Sequence, residues 1–325
     1  MKPIFKPQTE WLPPESFPNL SKYDEIAIDL ETKDPGLKST GSGSVVGNGN
    51  VVGVAVAVEG WSGYYPIAHE GGGNMDKSMV IKWFTDVLKT PAIKIFHNAM
   101  YDVCWIRSMG LKIEGKIVDT MIAGSLVDEN RFRYDLGSLG RDYVGIGKNE
   151  AVLKETADLW GIDHKAEMYK LPAMYVGEYA EQDADLTLKL WQEMKKQMYH
   201  EDVEDIFKLE TKLFPCLVDM RFLGVRVDTQ AAYELKQKLI EEEKECLYKV
   251  KKETSVDVQI WAARSIEKVF QKLNLPYDLT AKTSSPSFTK NFLQNHPHPL
   301  VKQIARAREI NKSHTTFIDT ILKHQ

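Results

Sequence analysis

The chain has 325 residues, 43% apolar and 27% charged, with 21 glycines and 14 prolines; this suits roughly two domains with an undisulfided core and excludes collagenous, low-complexity and wholly disordered classes. The net charge is −4, unevenly placed: residues 1–200 carry 22 Lys/Arg against 28 Asp/Glu, and residues 249–325 carry 13 against 6, as expected if the back half tracks a phosphate backbone and the front half holds something cationic. No apolar run approaches a membrane span and residues 1–7 lack the core of a signal peptide, so the expectation is a cytoplasmic protein with no membrane partner.

In chain order, residues 25–31 read as a strand, because Ile26, Ile28 and Leu30 alternate with Ala27, Asp29 and Glu31. Both carboxylates then share one face. A Gly/Ser/Asn-rich loop at 36–50 precedes two further strands at 51–58 and 63–67. Helical spacing at 77–88 and a short buried strand at 93–96 follow. Asn98 is placed to cap a helix running to Met109, and further helices are expected at 119–126 and 175–198.

The pattern changes after residue 203. A helix at 204–220 leads to a strand containing Val225 and Val227, then to a highly charged helix at 229–252 whose thin apolar stripe suggests a projecting arm. The expected domains are 1–203 and 204–325. The three cysteines, Cys104, Cys216 and Cys246, are odd in number and lack zinc-type spacing, so they read as inert thiols.

Four acids stand out once placed on these elements: Asp29 and Glu31 on the first strand, Asp102 in a helix, and Asp183 on the long helix. An acid-x-acid pair alone is weak, since random placement gives roughly six to seven in such a chain. Two carboxylates on one face of a buried strand nevertheless demand a counter-charge, and no Lys or Arg adjoins them in sequence. Asn98 with Asp102, and Tyr179 with Asp183, each lie one helical turn apart. Four carboxylates suit two hard divalent ions, Mg²⁺ or Mn²⁺, acting on a phosphodiester, and a phenol one turn from a ligand suits the attacking water.

The strings IAIDLET (26–32), FHNAMYD (96–102) and YAEQD (179–183) resemble the three motifs of the DEDDy 3′–5′ exonucleases, with YYPIAH (64–69) and KIVDTMIAGSLVDEN (116–130) in weaker agreement. Within that group the chain is similar to the family A, polymerase I type DNA polymerases, especially phage forms. The resemblance implies an α/β, ribonuclease-H-like mixed sheet flanked by helices, followed by a mainly helical thumb-like region. FPCLVDMRFLGVRVD (214–228) resembles the opening of the polymerase domain; TAKTSSPSFTKNFL (280–293) and ARAREINKSHTTFIDTIL (305–322) resemble thumb segments.

Carried over residue by residue, the resemblance makes Asp29, Glu31, Asp102, Tyr179 and Asp183 catalytic. The four carboxylates would hold the two metals, and Thr32 and Asn98 would contact the terminal nucleotide. Lys282, Ser285, Ser287, Arg308 and Lys312 would meet the DNA backbone. The implied reaction is proofreading hydrolysis of the 3′-terminal phosphodiester, releasing 5′-mononucleotides from a single-stranded 3′ end or primer-template, in a bacterial or phage-infected cytoplasm. No palm aspartate pair and no fingers helix follow in the sequence, so it is expected to be a truncated polymerase or one piece of a split one, partnered by palm and fingers on another chain, and unable to synthesise DNA alone. Two alternatives share the front-half motifs: a ribonuclease-D-like exoribonuclease, which would not carry the thumb-like segments, and a catalytically silent DNA-binding exonuclease fold, which would tolerate loss of a carboxylate.

Overall fold

The computed structural model describes residues 9–323, so residues 1–7, weighed above as a candidate leader, lie outside the described residues. Strand β1 (Glu25–Lys33) is followed by a one-turn helix, α1 (Leu37–Thr40), and by β2 (Asn50–Val58) and β3 (Trp61–Pro66), which continue antiparallel. Helix α2 (Lys77–Leu88) starts where the Asp76 side chain accepts from the Met79 amide at 2.9 Å. Its Val80, Phe84 and Leu88 recur at helical spacing and are fully buried, each contributing about 2 kcal/mol through apolar burial. Strand β4 (Ile93–Phe96) then pairs parallel to β1, and after α3 (Ala99–Ser108), β5 (Ile117–Asp119) pairs parallel to β4. The sheet order is β3-β2-β1-β4-β5.

Both faces of the sheet are covered. Ile26, Ile28 and Leu30 point to one side, packing with Phe84, Trp105, Phe214 and Val218. Ala27, Ala55 and Ala57 point to the other, where they meet Ala180 and Ala184. The covering elements follow in chain order. They are α4 (Thr120–Val127), α5 (Leu136–Leu139), a π-helical turn (Gly140–Val144), α6 (Ala151–Trp160), α7 (Gly177–His200) and α8 (Glu204–Leu223). This is the expected α/β, ribonuclease-H-like architecture.

Two compact units divide after Gly224 rather than at 203/204. The reason lies in α8, whose Phe207, Phe214 and Val218 are buried in the two cores of the front unit. The strand expected around Val225 and Val227 does not form. Gly224, at φ +69°, ends α8, and Asp228 caps the next helix, leaving an exposed connector with no strand beside it.

The second unit contains α9 (Thr229–Thr254), α10 (Ala263–Lys272), a small ladder of β6 (Asp278–Leu279) and β7 (Pro286–Ser287), α11 (Lys290–Asn295), α12 (Pro299–Lys312), a π-helical turn (Ser313–Ile318) and α13 (Asp319–Lys323). Helix α9 is not a bare arm. Its Cys246 and Val250 enter a core with Phe270, Val301 and Ile304. Cys104 and Cys246 are buried, Cys216 is exposed, and all three are free thiols. Among the described residues no helix is long and apolar enough to cross a membrane.

Candidate active site

Strand β1 delivers Asp29 and Glu31 to the face covered by α7. Their cross-strand partners on β2 are Ala55 and Gly53, and the Tyr64 phenol fills the space that a side chain at Gly53 would take. Just beyond, the pairing register slips between Glu31 and Thr32, a bulge of the kind that re-aims side chains beside functional sites. The Thr32 hydroxyl lies 2.5 Å from the Tyr101 hydroxyl, which also donates to Asp34 Oδ2 at 3.2 Å.

Asp102 lies in the first turn of α3, where its Oδ1 accepts from the Leu30 amide at 3.0 Å. That bond locks the helix to the backbone midway between Asp29 and Glu31. Asn98 does not cap α3 with its side chain. It sits in the left-handed region at φ 64°, a conformation asparagine tolerates, and its side chain is exposed. Asp119 does the capping instead, accepting from the Asn98 and Ala99 amides at 2.9 and 2.8 Å and from Met121 at 2.8 Å. One carboxylate thereby fixes the starts of both α3 and α4.

Helix α7 brings Tyr179 and Asp183, one turn apart and both buried. Sequence reasoning missed the cation that meets them. Lys148 Nζ is hydrogen-bonded to Asp183 Oδ2, lies 3.4 Å from the Tyr179 hydroxyl, and sits 5.2 Å from the centre of that ring. Its loop is held on both sides by Gln182: the Asn149 amide donates to Gln182 Oε1 at 2.8 Å, and Gln182 Nε2 donates to the Gly147 carbonyl at 3.4 Å. The only prior signal was the glutamine beside Asp183 in YAEQD, which periodicity could not interpret.

The electrostatics show the carboxylates acting on one another. Burial, then the charge of Asp183, pushes Asp29 up to about 7, while Lys148 pulls the other way. Burial and the Asp29 charge hold Glu31 and Asp102 well above the usual carboxylate range. Asp183 is raised by burial, opposed by Lys148. Burial would depress Lys148, but the Asp183 carboxylate more than offsets it. Burial and the Asp183 charge keep the Tyr179 phenol well above its ordinary value, hence protonated at neutral pH.

Among the described residues no three or more His, Cys, Asp or Glu side chains stand as a finished metal cage. Asp183 is turned to Lys148 and Asp102 to the Leu30 amide. The donor set still fits a hard divalent ion: four carboxylates, with the buried Asp183 Oδ1 lacking any hydrogen-bond partner.

Beside Thr32 lies a cleft of about 270 Å³ lined by Tyr101, Tyr169, Lys38 and Lys165. A larger cavity, of about 760 Å³, lies beside Glu25 at the opposite end of β1 and holds none of the four carboxylates. In the second unit Lys282, Ser285 and Lys312 are exposed and Ser287 is half-buried in β7. Arg308 is placed otherwise than expected. Its Nε and Nη1 donate to the Ile260 and Phe288 carbonyls at 2.6 and 2.7 Å, and its guanidinium lies 5.4 Å from the centre of the Trp261 ring. Those donors are spent inside the unit.

A family model described as 3′–5′ exonuclease, that of the family A DNA polymerases, matches residues 6–199. Such domains are in general metal-dependent. A DNA-directed DNA polymerase of Pseudomonas phage M6 is 30% identical over 326 residues, covering 97% of this chain and 49% of its own length. DNA polymerase I of Pseudomonas aeruginosa is 27% identical, covering 93% of this chain and 33% of its own length. The POL domain of Pol1 from M. smegmatis, solved with DNA primer-template and dNTP, superposes with a TM-score of 0.67 over 92% of this chain and 47% of its own, at 14% identity, a likeness of fold alone. The chain thus spans about half the length of the phage relative.

Proposed function

Because the chain belongs to the 3′–5′ exonuclease family of the family A DNA polymerases, we propose that it hydrolyses the 3′-terminal phosphodiester of a DNA strand at the Asp29, Glu31, Asp102 and Asp183 cluster. The observation that carries this reading is the meeting of four acids from three separate elements, with Tyr179 one turn from Asp183. Three segments far apart in sequence supply acids that act on one another's charge, and this mutual repulsion supports a site that binds cations.

Asp29, Glu31 and Asp183 would hold a first Mg²⁺ or Mn²⁺ ion; Asp29 would share a second with Asp102. Bound there, such a pair makes water acidic and neutralises charge on the phosphate being cleaved. The chain's own groups do the rest. Tyr179, kept protonated, orients the attacking water by hydrogen bonding rather than by taking its proton. The water oxygen bonds to phosphorus, the bond to the 3′ oxygen of the penultimate nucleotide breaks, and a 5′-mononucleotide leaves behind a new 3′ hydroxyl. Thr32 and Asn98 would border the terminal nucleotide, near the cleft lined by Thr32, Tyr101 and Tyr169. The exposed Lys282, Ser285 and Lys312, with the half-buried Ser287, would contact the backbone of primer-template DNA, and palm and fingers, on this or another chain, would complete a polymerase.

The test is digestion of 3′-labelled single-stranded DNA and matched RNA, with Mg²⁺, Mn²⁺ or chelator, beside Asp29→Ala. Metal-dependent mononucleotide release from DNA, lost in the variant, is expected. Preference for RNA, or activity persisting in Asp29→Ala, would overturn the reading.

A further inference from the structure

The ammonium of Lys148 stands inside the acidic cluster rather than at its rim. Its side chain is only 20% exposed, that of its partner Asp183 is 4% exposed, and Asp29 and Glu31 also feel its charge. The aliphatic stem lies across Gly137, where a Cβ would meet Lys148 Cγ at 3.5 Å. Gln182 pins the backbone on either side. Main chain and stem are therefore fixed, and the mobile part is the ammonium, with Asp183 and Tyr179 within its reach.

We infer that Lys148 is a positioning residue that competes with divalent metal for Asp183 and so sets how tightly the metal is held. The inference rests on the reading of the four carboxylates as metal ligands. Lys148 occupies one carboxylate oxygen of Asp183, and the other, Oδ1, has no partner. A divalent ion on that carboxylate would share it with the ammonium, and like charges held by one carboxylate in a partly buried site repel strongly. A hydrogen bond from Lys148 to Asp183 also orients that carboxylate, which strengthens metal binding. The two effects oppose each other. The repulsion involves a doubly charged ion and little water, and it is the larger one here, so removing the charge tightens the metal.

The measurement is Mn²⁺ binding to the full chain without DNA, read from the electron paramagnetic resonance signal of free Mn²⁺. Lys148→Met is expected to bind Mn²⁺ about tenfold more tightly than wild type, and Lys148→Arg, which keeps the charge, to stay within about twofold. Equal or weaker binding by Lys148→Met would overturn the proposal and leave Lys148 a packing or orienting role. A second readout needs no variant: reductive methylation of Lys148 in the wild-type chain, followed by mass spectrometry, should quicken severalfold on adding Mn²⁺ as the ammonium leaves Asp183. An unchanged rate would count against it equally. Asp29→Asn and Asp183→Asn separate the two readings. If both lose Mn²⁺ while Lys148→Met is unchanged, only the role of Lys148 falls; if both bind like wild type, the metal site itself falls and takes this inference with it.

Discussion

Tyr64 and His69 are joined by a 2.6 Å hydrogen bond in the layer that supports Glu31. His69 Nδ1 faces the Leu171 carbonyl at 3.0 Å, which can only accept, so Nδ1 carries the proton and Nε2 accepts from the Tyr64 hydroxyl. Burial drives His69 down to about 4, which keeps this arrangement neutral. The phenol passes over Gly53, where a Cβ would fall 2.1 Å from its oxygen. Tyr64→Phe should cost about 1–3 kcal/mol by orphaning His69, and Gly53→Ala should cost at least as much by forcing the ring aside. Chemical denaturation checks both, and a neutral Gly53→Ala would refute the packing argument.

The raised carboxylates fix a pH dependence whose sign follows from linkage. A carboxyl whose folded pKa exceeds its unfolded one contributes stability that is present below the unfolded value and lost as pH rises through the folded one. For Asp29 that loss runs up to about 7, and Glu31 and Asp102, raised by burial and by the Asp29 charge, act in the same direction. His69 and His97, both lowered to about 4 chiefly by burial, oppose it only up to the ordinary histidine range. Between pH 6.5 and 8.5, in chelator, the thermal midpoint should therefore fall, by about 1 kcal/mol in stability from Asp29. Mn²⁺ should abolish the fall. A chelated protein more stable at pH 8.5 than at 6.5 would contradict this.

Asp29→Asn should separate stability from activity. The change removes a charge its surroundings disfavour, so in chelator at pH 8 the variant should be more stable than wild type by about 1 kcal/mol. Hydrolysis of 3′-labelled DNA should nevertheless drop at least about 100-fold, as expected when a group acting at the reacting centre is lost. Calorimetry and a nuclease assay on one preparation decide both.

Tyr179→Phe should spare metal binding and lower single-turnover hydrolysis by about 100-fold, the scale of a lost proton-handling or water-orienting contact. Unchanged turnover would remove Tyr179 from the reaction and leave it as packing for α7.

Arg308 and Lys312, expected to act alike, should now differ. Arg308→Ala empties two carbonyl partners and should destabilise the second unit by about 2 kcal/mol. Lys312→Ala should leave stability within about 0.5 kcal/mol. If Lys312 meets phosphate, its removal should also lower the salt slope of duplex binding by about 1. Fluorescence anisotropy across a salt series reads this directly.

Much of the site was legible because it follows the two simplest periodicities. Alternation placed Asp29 and Glu31 on one strand face, and the helical repeat stacked Tyr179 over Asp183. What escaped is what tertiary structure alone brings together. Lys148 sits in a glycine-flanked loop with no pattern to read, 35 positions before the carboxylate it meets. Asn98 looked like a cap by residue type, yet the strand-end Asp119 takes both helix starts, because parallel β4 and β5 set it beside them. Val225 and Val227 had strand composition without a strand to pair with. Arg308 looked like a free cation because nothing in sequence announces the two carbonyls that claim it.

The alanines between sheet and helix act as a shim. Ala27, Ala55 and Ala57 on the sheet share one buried cluster with Ala180 and Ala184 on α7. Two of the site's acids ride on β1, and Asp183 with Tyr179 rides on α7, so the small residues packed between these elements let strand and helix carry their acids close together. Enlarging one alanine to valine would wedge the two platforms apart and detune the site without altering a single polar atom. The tolerance of the chemistry is thus machined into the least reactive residues of the chain.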